Sequence, residues 1–301
     1  MKIFWYCPPN VIKDFKNPTD NPSFRLRCWY NHLNLIKDGY SSFIVDTIEK
    51  INNPDILILM SFGEEELNIT KWMKDNKKLV IHDYTENIRG LPILEKTKEL
   101  CDYIVCSSTE LGKEEAKIYP SKIVIIKDPV EDFPIKHNTE ADPEKLSVVW
   151  SGMGGNAPWI QQILKPVIES LNMNYVEISN RPEATIQWDI KTWYFYMAEC
   201  DICICPQIHW LFPTKSNVKV TTAMSLGLPV LASPITSYLE IIKNGKNGYI
   251  CHNFEDWMIY LDSLKSKQIR QSISKKSEKS LIPYKISNIY KQWLNLFKKS
   301  I

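Results

Sequence analysis

Short apolar runs alternate along this chain with longer stretches of helical periodicity. In the first half, runs at Ile3–Tyr6, Phe43–Asp46, Ile56–Met60, Leu79–His82, Tyr103–Cys106 and Lys122–Ile126 predict strands. Helical patterns fill the gaps at Phe24–Lys37, Glu64–Asp75, Leu91–Leu100 and Thr109–Tyr119. Strands that alternate with helices return in the same direction, so the pattern predicts a parallel sheet with crossover helices. The second half repeats it. Strands are expected at Leu146–Trp150, Tyr175–Ile178, Ile186–Trp188, Ile202–Cys205, Val230–Ala232 and Tyr249–Cys251. Helices are expected at Ala157–Leu171, Trp193–Glu199, 217–226, Glu240–Lys243, Phe254–Leu264 and 267–279.

Between the halves, 128–145 is polar, holds three prolines and has no period, which reads as a linker. A last helix over 284–299 carries the stripe Ile286, Ile289, Tyr290, Trp293 and Phe297. That stripe has to be buried, most simply against the first domain. The expected division is 1–135, 146–280, and 281–301 packing back on the first domain. Two Rossmann-like domains would then offer their strand carboxyl ends to one cleft, the usual ligand position in open parallel sheets.

The stretch Lys215–Pro234, KSNVKVTTAMSLGLPVLASP, reads as loop, helix and buried strand. Ser216 and Asn217 are candidate N-caps. Lys215 and Lys219 would sit beside the helix N-terminus, where unpaired N–H groups and the helix dipole favour a phosphate. Gly152, Gly154 and Gly155 form a loop between a strand and a helix, where glycine lets the backbone approach a phosphate closely.

Composition narrows the class. The chain has 301 residues, 44% of them hydrophobic and 24% charged, which suits two globular domains. No apolar run is long enough to span a bilayer. The opening MKIFWYCPPN reads as a first strand rather than a signal peptide, so a cytoplasmic protein with reduced cysteines is expected. The net charge is only +2, yet residues 265–301 hold ten Lys or Arg against Glu278. That basic segment would suit nucleic acid or an anionic membrane, with peripheral attachment, or it is a solvated face. Cys200, Cys203 and Cys205 with His209 nearby suggest zinc. Cys203 and Cys205, however, share one face of a predicted strand, and buried thiols acting as small apolar side chains fit better.

Six pieces in order resemble the nucleotide-sugar glycosyltransferases of the GT-B fold, particularly the large retaining group. They are SVVWSGMGGNAPWIQQIL (147–164), AECDICICPQ (198–207), KSNVK (215–219), TAMSLGLPVLASP (222–234), YLEIIKNGKNGYI (238–250) and Glu255-Asp256-Trp257. The resemblance implies transfer of a sugar from a UDP- or GDP-linked donor to an acceptor hydroxyl, retaining and without a metal or other cofactor. The acceptor would be a glycan or lipid-linked sugar, or a modified DNA base. Gly152, Gly154, Gly155, Lys215, Ser216, Asn217, Lys219 and Thr222 would hold the donor, with Ser179 and Arg181 near its base. His82 and Asp83, ending a strand, would orient or deprotonate the acceptor, or His82 would only position it while the donor phosphate acts as base. Arg25 and Tyr84 would lie on the acceptor side. Thr222 stands where such enzymes usually carry a Glu that grips the ribose, and a threonine cannot make that bidentate pair. An acidic position seven or eight residues earlier falls in the Pro213–Lys215 region. Both departures motivate a rival reading, a degenerate scaffold that binds nucleotide sugars without catalysis.

Overall fold

The computed structural model describes residues 1–8, 21–85, 87–88, 90–140, 142–207 and 213–299. The chain divides into two compact units. One comprises Met1–Pro129, Thr214–Ser216 and Tyr284–Ile301, and the other Val130–Pro213 and Asn217–Pro283.

The first unit contains β1 (Lys2–Tyr6), β2 (Ser41–Val45), β3 (Ile56–Leu59), β4 (Leu79–Tyr84), β5 (Tyr103–Cys106) and β6 (Ile123–Ile125). They form one parallel sheet in the order β2-β1-β3-β4-β5-β6. The crossovers are α1 (Tyr30–Lys37), α2 (Glu64–Asp75), α3 (Pro92–Leu100) and α4 (Thr109–Ala116). Central β3 reads Ile-Leu-Ile-Leu and is buried throughout, as a strand covered on both faces must be. Ser108 caps α4, accepting from Leu111 N at 3.2 Å, and its hydroxyl donates to Thr214 O at 2.7 Å.

The helix expected over Phe24–Lys37 opens differently. Phe24–Trp29 is a π-helical turn, and α1 follows it. The Asn31 amide donates to Arg27 O at 2.6 Å, and a side chain on a backbone carbonyl competes with the helical ladder at that point.

The second unit contains β7 (Ser147–Ser151), β8 (Asn174–Ser179), β9 (Ile186–Gln187), β10 (Ile202–Cys205), β11 (Val230–Ala232) and β12 (Tyr249–Ile250). Their order is β12-β11-β10-β7-β8-β9, again all parallel. The strand order reverses between β7 and β10, which makes their carboxyl ends the switch point of the sheet. The helices are α5 (Ala157–Ser170), α6 (Trp193–Ala198), α7 (Val218–Ser225), α8 (Thr236–Leu239), α9 (Phe254–Ser263) and α10 (Lys267–Ser280). α5 runs through Pro166. The short helix expected at Glu240–Lys243 lies earlier, at α8, and Glu240 and Ile241 form a turn. The polar stretch read as a linker is tied down from Val130 onward. His137 N donates to Leu226 O at 2.7 Å, and Lys136 pairs with Glu278 at 2.8 Å.

The last helix, α11 (Ile286–Lys299), belongs to the first unit. Ile289, Tyr290, Trp293, Leu296 and Phe297 are buried with Ile3, Trp5 and Cys28 in one core. The Trp5 ring meets Trp293 at 5.5 Å and Phe297 at 6.3 Å, both edge-on. The apolar stripe is thus closed against the first sheet, as its pattern required. Among the described residues no helix is long and apolar enough to cross a membrane.

Candidate functional site

The switch point of the second sheet gathers the glycine loop and the start of α7. Gly152 follows β7 and donates its N–H to Ile178 O at 3.1 Å. A Cβ placed on Gly152 would overlap Lys219 Nζ and come within 2.8 Å of the Trp150 ring. Lys219 Nζ lies 5.2 Å from the centre of that ring, a cation–π placement that holds the ammonium over the loop. Gly154 donates to Asn180 Oδ1 at 2.8 Å, and a Cβ there would strike Arg181 Cγ. Gly155 faces open space. Glycine is therefore required at 152 and 154 by close approach, while 155 carries no packing demand. Gly152→Val should push Trp150 and Lys219 apart, since the ring cannot yield as a flexible chain end can. The expected result is at least tenfold weaker nucleotide-sugar binding by calorimetry, with Gly155→Ala close to wild type.

The start of α7 leaves its first N–H groups without a side-chain cap, as the starts of α1, α5, α6 and α8 also do. Asn217 occupies the N-cap position, but its side chain makes no capping bond, and its first turn holds no acidic residue. Asn217 is 2% exposed, and both polar atoms of its amide lack a hydrogen-bond partner. Lys219 adds a positive charge to the positive end of the dipole. The uncapped N–H groups, the Asn217 Nδ2 donor and the Lys219 charge are each relieved by an anion, while Asn217 Oδ1 calls for a donor such as a hydroxyl. Arg181 lies against Gly154 with its charge met by Glu177 and, at 3.4 Å, by Glu183. Its Nη1 is buried without a hydrogen bond, 3.8 Å from Glu177. Ser179 is committed to the fold. Its hydroxyl donates to Glu177 Oε1 at 2.6 Å and accepts from Arg181 N at 3.2 Å. Thr222 is buried on α7. Lys215 is exposed and lies three residues before α7, and it and Ser216 fall in the segment that packs with the first unit.

In the first unit a pocket of about 250 Å³ opens at the carboxyl ends of β3 and β4, lined by Ser61, His82, Asp83 and Tyr84 among others. Asp83, expected at the acceptor, is committed to a buried ion pair. Its carboxylate is gripped by Arg27, with Nε at 2.8 Å from both oxygens and Nη2 at 2.6 Å from one. Arg27 also donates to Ile126 O and Asp128 Oδ1, each at 2.9 Å, and is 1% exposed. Burial opposes its charge, but Asp83 and Asp128 outweigh burial and raise its pKa. Sequence reasoning missed Arg27. The signal was an arginine within the apolar face of FRLRCW, where only a buried acid could keep it. Arg25, two residues earlier, is buried as well. Tyr84 is also committed: its hydroxyl donates to Ile88 O at 2.5 Å and accepts from Ile88 N at 2.7 Å.

His82 is different. It is 2% exposed, lines the pocket, and its Nδ1 has no hydrogen-bond partner. Burial, with a contribution from Lys98, pushes its pKa down to about 3, so the ring is neutral at physiological pH. An unfolded imidazole titrates near 6.5. Between those values the unfolded chain takes up a proton that the folded chain does not, so stability falls as pH drops through 6.5. From pH 7.5 to pH 5 the loss due to His82 should be about 2 kcal/mol. Urea titrations at the two pH values measure it, and His82→Gln should remove most of the difference.

All eight cysteines are buried and free, with Cys203 and Cys205 Sγ atoms 4.0 Å apart. His209 lies outside the described residues. Among those residues no group of three or more His, Cys, Asp or Glu is placed to hold a metal ion.

The family model for glycosyl transferases group 1 matches residues 143–264. A sequence search of curated proteins finds no match. Among solved structures, Anabaena HepE in complex with UDP and glucose is similar at a TM-score of 0.66 and 12% identity, over 99% of this chain and 100% of that one. A point mutant of S. aureus TarM, in complex with fondaparinux, alpha-GlcNAc-glycerol and UDP, is similar at a TM-score of 0.60 and 12% identity. That match covers 80% of this chain and 55% of TarM, so the chain spans about half the length of that structure. A putative UDP-N-acetylglucosamine 2-epimerase from Listeria monocytogenes is similar at a TM-score of 0.60 and 13% identity, over 99% of this chain and 96% of that one. The chain has the GT-B fold.

Proposed function

We propose that this chain, whose residues 143–264 form a group 1 glycosyltransferase domain, moves a sugar from a nucleotide-diphosphate donor to an acceptor hydroxyl. The observation that carries the reading is the start of α7, where an unused N-cap and an orphaned Asn217 amide stand within one turn of Lys219, whose ammonium reaches Gly152. The diphosphate binds there. Lys219 and the α7 N–H groups stabilise the charge that develops as the nucleoside diphosphate leaves. That cationic set takes the place a metal holds in other phosphate chemistry. The transfer is retaining, as in the group the sequence resembles, with the donor phosphate as base: Arg27 holds the Asp83 carboxylate, and burial leaves His82 a weak proton acceptor. His82, which lines the first unit's pocket, positions the acceptor. UDP-linked sugars are the first donors to try, given the ligands of the TarM and HepE structures.

The acceptor class is a glycan or lipid-linked sugar. The basic residues of α10 and α11 support nucleic acid or an anionic membrane as an alternative contact, and a salt-dependent DNA retardation assay separates these. Thr222 favours a second reading, a binding scaffold without catalysis. A hydrolysis screen over UDP-, GDP- and other nucleotide sugars decides. Release of nucleoside diphosphate from any of them supports transfer chemistry, whereas tight binding with no release from all of them supports the scaffold.

A further inference from the structure

A second concave surface lies on the second unit at the other end of α7 from Lys219. Met224 and Gly227 form one wall, and α10 forms the other with Gln271, Ser274 and Lys275. Along α7 this is about 12 Å from the proposed diphosphate site. The groove encloses about 430 Å³, the size of a small-molecule site.

Three observations say what it would take. Ser274 is 7% exposed, and its hydroxyl has no hydrogen-bond partner. A buried polar group left in that state is unfavourable, and rotation about one bond turns it to a ligand in the groove. Gln271 is already oriented, because its amide nitrogen donates to Thr139 O at 3.1 Å and to Glu140 Oε1 at 3.0 Å. The charges cancel: Lys136 and Lys275 stand against Glu140 and Glu278, and Lys136 is paired with Glu278 at 2.8 Å. A phosphate or a cation gains little from a balanced rim. A ligand with many hydroxyls, each able to donate and accept, can use both signs, and Met224 offers an apolar surface for a ring face.

We propose that this groove binds a neutral oligosaccharide, separately from the donor site. The proposal goes beyond the transfer reading and does not need it, because the binding is read without donor or turnover. The test is saturation-transfer NMR on the full chain with chitotriose, maltotriose and cellotriose. The expected result is saturation of ring protons in at least one of them, abolished by Ser274→Phe, which fills the groove, and weakened at least fivefold by Gln271→Ala. UDP should not displace the sugar. No transfer from any of the three overturns the proposal. So does a signal unchanged in Gln271→Ala, which decides even if Ser274→Phe fails to fold. Displacement by UDP would assign the sugar to the donor site, and displacement by inorganic phosphate would make the groove an anion site. Either result overturns it. A failed hydrolysis screen with intact oligosaccharide binding would reject the transfer reading alone.

Discussion

Lys219→Ala lowers turnover of the nucleotide sugar by about 10²- to 10³-fold, a loss of about 3–4 kcal/mol of transition-state stabilisation. The reason is position as much as charge. Lys219 Nζ is held over Trp150 and against the Cα of Gly152, with no room for even a methyl group between loop and ammonium. A charge fixed in advance need not reorganise as the leaving diphosphate gains negative charge. Melting temperature should hardly change, because removing a lysine from the first turn of α7 relieves an unfavourable dipole interaction. Lys219→Arg should recover only part of the activity, since the wider guanidinium does not fit the gap beside Gly152. Nucleoside diphosphate release, with circular dichroism to confirm folding, measures both. Turnover of Lys219→Ala equal to wild type would remove the basis of the proposed chemistry.

Arg27→Ala has the largest expected effect on stability. It leaves Asp83 fully buried and Asp128 nearly so, without their shared cation, and exposes Ile126 O to the same loss. Breaking a buried ion pair by deleting one partner destabilises by about 3–5 kcal/mol. Arg27 also sits 5.7 Å from the Trp293 ring, so the C-terminal helix should loosen with it. Denaturant titration, followed by amide hydrogen exchange of peptides from each unit, should show the first unit unfolding early while the second keeps its transition. Arg27→Met combined with Asp83→Asn should regain part of the loss, because the most deeply buried unpaired charge is then absent. Arg27→Ala with an unchanged midpoint would mean the buried network has no structural role.

The sheets, their parallel sense and the returning helix were legible because burial on both faces leaves a direct trace in composition. β3 and β10 are unbroken apolar runs, and the stripe on α11 has no use except in a core. The glycine loop was legible for a related reason, since only glycine tolerates another chain within van der Waals distance of Cα. Gly155 shows the limit: it shares the pattern and faces open space. Functional side chains were read less well. His82 and Asp83 are neighbours in one strand, so local sequence treats them alike. One lines a pocket with a buried, unpartnered ring nitrogen, and the other is locked to Arg27, 56 residues away.

By itself, the sequence determined two α/β halves, a cationic helix start beside a glycine loop, and a last helix that had to be covered. These follow from periodicity, side-chain size and charge, which act between near neighbours along the chain. Only the tertiary structure decided which polar groups are satisfied. Arg27 meets Asp83 and Asp128, while the side-chain amide of Asn217 meets nothing, because hydrogen bonding depends on partners that folding brings from distant strands.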